Sequence, residues 1–334
     1  MCCSKKRVDF PIDIVYTWVD GDDPVWREKR YKYMPSLPNG EVPNHLSDAR
    51  WRQENELMYS LRSVEMYAPW VNRIYIVTDG QCPTWLNRNH PKIRIVDHSE
   101  IFPADALPVF SSHAIESRIY CIPGLSEHFI YGNDDTYFSS LTRPEDFFNA
   151  DGTPIVRVMK ARFNRERARN GGNYYRIIYR MQSLVEEHWG KLVCHKPHHN
   201  FDAYRKSDFE TCVARMPEQW RATTYNRFRT NDDMQRCYVD YYAVAAAGAT
   251  LRKVNRYNRI NNPFSFIKAL VTGRYGADSR WIKLDEVKDF KRDLDKYNPL
   301  MLCMNDNVRT TDEDYRRMID FLKSLYPSKS SFEL

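Results

Sequence analysis

Several short runs of this sequence set chemically capable side chains next to one another. Asn133, Asp134 and Asp135 follow directly on the apolar residues Phe129, Ile130 and Tyr131. Two adjacent carboxylates at the end of a buried strand are costly unless a cation sits with them. A divalent metal that grips a diphosphate would supply that cation. The plainer reading is an acidic turn that caps the next element. Leu302-Cys303-Met304 runs into Asn305 and Asp306 in the same manner.

Further on, His195, His198 and His199 stand close together. Pro197 interrupts any helix there, and no nearby Cys/His pair completes a zinc set. A histidine acting as general base is the better reading, because hydroxyl activation needs a group that titrates near neutrality. Arg227 and Arg229 precede a second acidic pair, Asp232 and Asp233. A guanidinium matches a phosphoryl group through two parallel hydrogen bonds. Six arginines from Arg162 to Arg180 are interleaved with Tyr174, Tyr175 and Tyr179, which suits sugar and phosphate or, equally, a solvated helix face.

The elements that must carry these groups alternate between strand and helix. Residues 12–19, 74–78, 93–96 and 129–131 are rich in β-branched and aromatic side chains and are expected as strands. Helical stretches are expected over Trp26–Tyr33, from Ser47 or Asp48 to Tyr67, and over Ser112–Cys121. This alternation implies an α/β fold, a mostly parallel sheet with helices on both faces. Each strand is closely followed by a carboxylate, at Asp20, Asp79, Asp97 and Asp134. Ligands of such sheets lie beyond the carboxyl ends of the strands, so these acids are expected at one rim. Asn55 and Arg62 share a face of the second helix, and His113 and Glu116 are i,i+3 on the third. Residues 10–150 are assigned to the α/β core. Residues 151–334 are assigned to a largely helical part on the acceptor side that completes the same site. Asn262–Gly276 mixes five large apolar residues with Lys268 and Arg274, and core packing is favoured there over a surface for membrane or lipid-linked acceptor.

At 334 residues and 42% hydrophobic content the chain can bury a sizeable core. A net charge of +6 suits an anionic substrate or a membrane surface. Without zinc-finger or helix-turn-helix spacing, nucleic acid is not expected. The eight cysteines are dispersed, with no CxxC, and are expected as free thiols. The basic start lacks an apolar segment and no run is long enough to span a bilayer, so a cytoplasmic location is expected, with peripheral contact at the inner membrane face. Cys2-Cys3 beside Lys5, Lys6 and Arg7 is a weak lipidation signal.

These residues resemble the Stealth family of sugar-1-phosphate transferases. One region is similar to IDIVYTWVDGDDP (residues 12–24). A second covers residues 52–137 and includes SLRSVEMYAPWVNRIYIVTDGQ and GLSEHFIYGNDD. A third is His195-Lys-Pro-His198 with Arg229 and Asp233-Met-Gln. A fourth is Cys303-Met-Asn-Asp-Asn307. The resemblance implies a GT-A-like fold and transfer of a hexose-1-phosphate, an N-acetylhexosamine-1-phosphate in the expected case. The donor would be a UDP-sugar, the acceptor a hydroxyl of a glycan or lipid-linked glycan, and the leaving group UMP. It implies a Mg2+ or Mn2+ ion held by Asp134, Asp135 and Asp306, with His195 as base and Arg229 at the transferring phosphate. Asp20, Asn55, Arg62, Asp79, His113 and Asn305 would line the donor pocket. A glycosyltransferase that releases UDP, and a carbohydrate-binding module without chemistry, are the alternatives. Released nucleotide separates all three.

Overall fold

The structure, a computed structural model, describes residues 7–34, 55–307 and 309–334. The loop expected over residues 35–43, the Ser47/Asp48 cap and the Cys2-Cys3 pair lie outside the described residues. The six described cysteines are free thiols.

The first half alternates as expected: β1 (Ile12–Thr17), α1 (Pro24–Tyr33), α2 (Glu56–Tyr67), β2 (Ile74–Thr78), β3 (Ile93–Asp97), α3 (His98–Ile101), α4 (Ser112–Glu116), β4 (His128–Asn133) and β5 (Thr136–Phe138). The helix expected over 112–121 ends at Glu116, and a separate 3₁₀ turn covers Ile119–Cys121. The second half contributes β6 (Ile155–Arg162), α5 (Arg165–Asn170), α6 (Asn173–Trp189), β7 (His195–Pro197), β8 (Asp202–Arg205), α7 (Lys206–Arg215), α8 (Pro217–Thr224) and α9 (Cys237–Ala246). It continues with β9 (Thr250–Val254), α10 (Pro263–Thr272), β10 (Ser279–Lys283), α11 (Phe290–Tyr297), β11 (Met301–Asn305) and α12 (Asp312–Leu325). This half is rich in helix but also carries six strands: β8, β10 and β11 join sheets that include strands of the first half, and β6, β7 and β9 form a sheet of their own.

The main sheet has the order β3-β2-β1-β4-β8. The first four strands are parallel and β8 closes the edge antiparallel to β4. Side chains alternate across it. Val15, Tyr75, Val77, Phe129 and Tyr131 pack on one face against Ile178, Met181, Tyr238 and Tyr241 of α6 and α9. Ile14, Tyr16, Ile74, Ile76 and Ile130 pack on the other against Leu57, Leu61 and Val64 of α2. Helices therefore cover both faces.

Two smaller sheets flank it. One has the order β10-β11-β5, with α11 and α12 on its core side. The other has the order β7-β6-β9. Gly132 in β4 lets the Phe201 ring lie directly on the strand, for a Cβ there would meet the ring at 2.3 Å.

The stretch around α10 departs from the favoured expectation. Only Ala269 of that helix is buried, and Phe264, Ile267, Leu270 and Val271 all face out. Their helical period was legible, but no other element of the described chain covers it.

Candidate active site

The parallel register fixes the rim. Thr17 pairs with Val77 and with Asn133, and Val77 with Val96, so the four strands end together. Asp20, Asp79, Asp97 and Asp134 accordingly emerge on one edge. Their tasks differ. Asp97 caps α3 and accepts the Gly80 amide at 2.7 Å. Asp79 pairs with Lys29 at 2.7 Å. Asp20 accepts the Asp22 amide at 2.9 Å, and its own amide donates to Gln81. These three shape the loops.

Asp134 and Asp135 occupy a different place. They form the two-residue turn between β4, in the main sheet, and β5, in the β10-β11-β5 sheet. Cys303 of β11 pairs with Thr136, so the end of β11 lies beside the turn. The Asn305 amide donates to Asp135 Oδ2 at 3.3 Å, and Cys303 Sγ approaches the same oxygen at 3.6 Å. Burial raises the Asp135 carboxyl above its ordinary range, against those donors. Tyr315 reports the neighbourhood. Its hydroxyl is pushed up first by burial and then by the charges of Glu56, Asp306 and Asp134, so these three acids share one locality. Asn55, at the start of α2 beside Glu56, is exposed and left-handed (φ 65°).

Among the described residues, no three His, Cys, Asp or Glu side chains are grouped so that they could hold a metal ion. The donors present are carboxylate and amide oxygens, which suit a hard cation completed by phosphate oxygens and water. Such a cation would also offset the desolvation that opposes charge on Asp135.

Tyr131 and Asn133, just before this turn, lead into a buried charge network that sequence reasoning missed. Arg236, the residue before α9, bonds Asp202 of β8 and donates to the Tyr204 hydroxyl at 2.7 Å. Its guanidinium lies 4.9 Å from the centre of the Tyr131 ring. Its Nε stands 3.5 Å from Glu116 Oε2, an ion pair in which neither atom has a hydrogen bond. Tyr131 Oη lies 3.0 Å from both Thr17 Oγ1 and Asn133 Oδ1, tying the network to the rim. Burial and the charge of Asp202 push Asp240 well above the carboxylate range.

His113, one turn before Glu116 on α4, meets Asp233 at 3.0 Å through Nδ1. Asp233 also accepts from Thr230 and Asn226, and these donors with His113 outweigh burial and hold it below its ordinary range. Arg229 bonds the hydroxyl of Ser112, adjacent to His113. His113, Arg229 and Asp233 thus form one group next to Arg236.

His195 is buried in β7. Its Nδ1 lies 3.1 Å from the Met159 carbonyl and 3.3 Å from that of Ala161. A carbonyl only accepts, so in the neutral ring Nδ1 carries the hydrogen and Nε2 keeps its lone pair. The His195 carbonyl accepts from Gln182 of α6 and Tyr241 of α9, which anchors the residue to the helices that bear Arg180 and follow Arg236. Burial lowers His198 to about 4 and His199 to about 3, so both are neutral at physiological pH. The His199 ring stacks on Trp281 at 5.0 Å, and Lys196 lies over Tyr175 at 4.5 Å, a polar-aromatic shelf beside the site.

Arg62 is not at the rim. Its Nε and Nη2 bond Glu333 at 2.8 and 2.7 Å, and Nη1 bonds the Tyr326 carbonyl at 2.9 Å. Each nitrogen is matched by a protein acceptor, so the residue holds the C-terminal segment onto α2. Spacing along α2 gave no hint of this, since the partners lie more than 260 residues away.

The descriptions "Stealth protein CR1, conserved region 1", "CR2, conserved region 2" and "CR4, conserved region 4" match residues 10–38, 50–156 and 294–334. The receptor polysaccharide phosphotransferase WefC of Streptococcus gordonii is 32% identical over 356 residues, covering 97% of this chain and 99% of that protein. The exopolysaccharide phosphotransferase SCO6023 of Streptomyces coelicolor is 35% identical over 98% of this chain, which spans only 53% of that relative's length. The galactosyltransferase LgtC, crystallised with donor and acceptor sugar analogues, aligns over 96% of this chain and 97% of its own, at 11% identity and a TM-score of 0.46. The chain belongs to the Stealth family. Among the described residues, no helix is long and apolar enough to cross a membrane.

Proposed function

We propose that this protein is a sugar-1-phosphate transferase of surface-polysaccharide synthesis. It takes a hexose-1-phosphate, in our reading N-acetylhexosamine-1-phosphate, from a UDP-sugar, passes it to a glycan hydroxyl and releases UMP. The observation that carries this reading is the acidic turn Asp134-Asp135 at the rim, with Asn305 on Asp135 and with the neighbouring Asn133 joined through Tyr131 to Arg236; bringing Arg229 and His195 to the same substrate is part of the proposal. Its chemistry is that of a phosphoryl group held between a cation and guanidinium donors.

Asp134 and Asp135 would hold a Mg2+ or Mn2+ ion together with phosphate oxygens and water, with Asp306 in the same locality rather than gathered as a third ligand, and the ion would neutralise charge on the diphosphate. His195 Nε2, which keeps its lone pair because the two carbonyls hold the hydrogen on Nδ1, takes the proton from the acceptor hydroxyl as oxygen attacks phosphorus and the bond to UMP breaks. Arg229 offers its donors to the phosphoryl oxygens as charge builds there. Arg236 adds a fixed positive potential from within the network. Asp20, Asn55, Asp79 and His113 shape the donor side of the rim. Trp281, Tyr174 and Tyr175 offer ring faces to the acceptor sugar.

The test is incubation with a panel of UDP-sugars, divalent metal and a glycan acceptor, reading the released nucleotide. Stoichiometric UMP with a phosphodiester signal in phosphorus NMR supports the proposal. Release of UDP with a new glycosidic linkage overturns it.

A further inference from the structure

Helix α10 and its surroundings have no part in the site above. The helix is a finished element. Asn262 caps it by accepting the Ser265 amide at 2.7 Å, and Gly273 ends it at φ 65°. Yet its outer ridge is apolar: Phe264 is 80% exposed, Ile267 58%, Leu270 54% and Val271 83%. The spacing i, i+3, i+6, i+7 makes one continuous stripe. A stripe of this kind on a rigid, well-capped helix marks an interaction surface.

The charge around it selects the partner. From residue 241 to 277 the chain has no Asp or Glu, and it carries Arg252, Lys253, Arg256, Arg259, Lys268 and Arg274. Lys268 stands on α10 and Arg274 just beyond it, and both are exposed. Next to the helix opens a cleft of about 610 Å3 lined by Lys160, Arg256, Tyr257 and Tyr297. Tyr257 packs on Phe266 of α10 at 5.0 Å, so cleft and helix share a wall. Arg256 is steadied there by Tyr275, 4.9 Å from its ring centre. An apolar ridge, flanking cations and an adjoining cationic cleft of headgroup size together match an interfacial helix on an anionic membrane.

We propose that this face docks the protein on an anionic lipid bilayer. In this arrangement α10 lies in the headgroup layer, and a lipid phosphate sits in the Lys160–Arg256 cleft. The inference does not rest on the reaction proposed above.

The experiment is co-sedimentation of the full chain with phosphatidylcholine vesicles, with and without phosphatidylglycerol. Binding should require phosphatidylglycerol and weaken as ionic strength rises. The variant Phe264→Ser/Ile267→Ser/Val271→Ser should bind about tenfold more weakly or worse, with an unchanged thermal melt. Lys268→Glu/Arg274→Glu, and separately Arg256→Glu, should erase the preference for anionic lipid. Absence of pelleting with phosphatidylglycerol vesicles, equal binding to neutral vesicles, or undiminished binding of the folded triple variant overturns the proposal. So does a dimer in sedimentation velocity that the triple variant abolishes, since a second copy would then cover the ridge.

Discussion

Replacing Arg236 by Met tests whether the charge network is a cation holding acids in place. The side chains of Arg236 and Asp202 are 13% and 6% exposed, so water screens them little. The substitution keeps volume but leaves Asp202, Glu116 and Asp240 without their common counter-charge. Breaking a buried pair from one side costs about 3–5 kcal/mol, a large part of the roughly 5–15 kcal/mol that holds a protein folded. The pH dependence follows from the acids. Burial already raises Asp202 and Asp240 above the ordinary carboxylate value with Arg236 present, and its loss raises them further. A carboxyl whose folded value is raised holds a proton that the unfolded chain has released. Its penalty is absent below the ordinary value and grows with pH until the folded value is passed, by about 1.4 kcal/mol per unit per proton. Urea unfolding followed by tryptophan fluorescence should therefore show the largest deficit of Arg236→Met near neutrality and a shrinking one toward acid. Adding Asp202→Asn should return part of the loss. A deficit under about 1 kcal/mol at neutral pH, or one that is flat with pH, would refute this account of the network.

Other outcomes follow from single contacts. His195→Ala should lower kcat by about 10²–10⁴ while leaving the donor KM nearly unchanged, read by UMP release. Asp134→Asn should raise the metal concentration needed for half-maximal turnover by about tenfold or more, read in a Mg2+ titration. Arg62→Ala should cost about 1.5–3 kcal/mol in urea unfolding by stranding Glu333, with no effect on donor KM; a raised KM with intact stability would return Arg62 to the donor pocket. Gly132→Ala should cost about 1–3 kcal/mol, because its methyl meets the Phe201 ring.

The sheet and its rim were legible because the runs 12–17, 74–78 and 93–97 are rich in β-branched residues and each meets a carboxylate. Strand β8 was not, since Asp-Ala-Tyr-Arg is four residues with charged ends, and only its pairing with β4 makes it a strand. The network around Arg236 escaped notice for a similar reason: its acids at 116 and 202 are distant in sequence, and nothing in local spacing joins them. The reading of α10 shows the converse. Apolar periodicity identifies a helix but says nothing about whether a neighbour covers it, so the exposed ridge became visible only in three dimensions. His195 lay between the two cases. Its residue type hinted at a base, whereas the locked tautomer depends on two carbonyls of β6.

The turn at Asp134-Asp135 has one more consequence. The tie from Asn133 to Thr136, between strands of different sheets, is three peptide steps and reaches at most about 10 Å, which leaves little slack. Any shear of the β10-β11-β5 layer against the main sheet must drag both carboxylates with it. Substitutions deep in that layer, at Met301 or Leu302, would then act as remote adjusters of the acid spacing from positions wholly buried in the core.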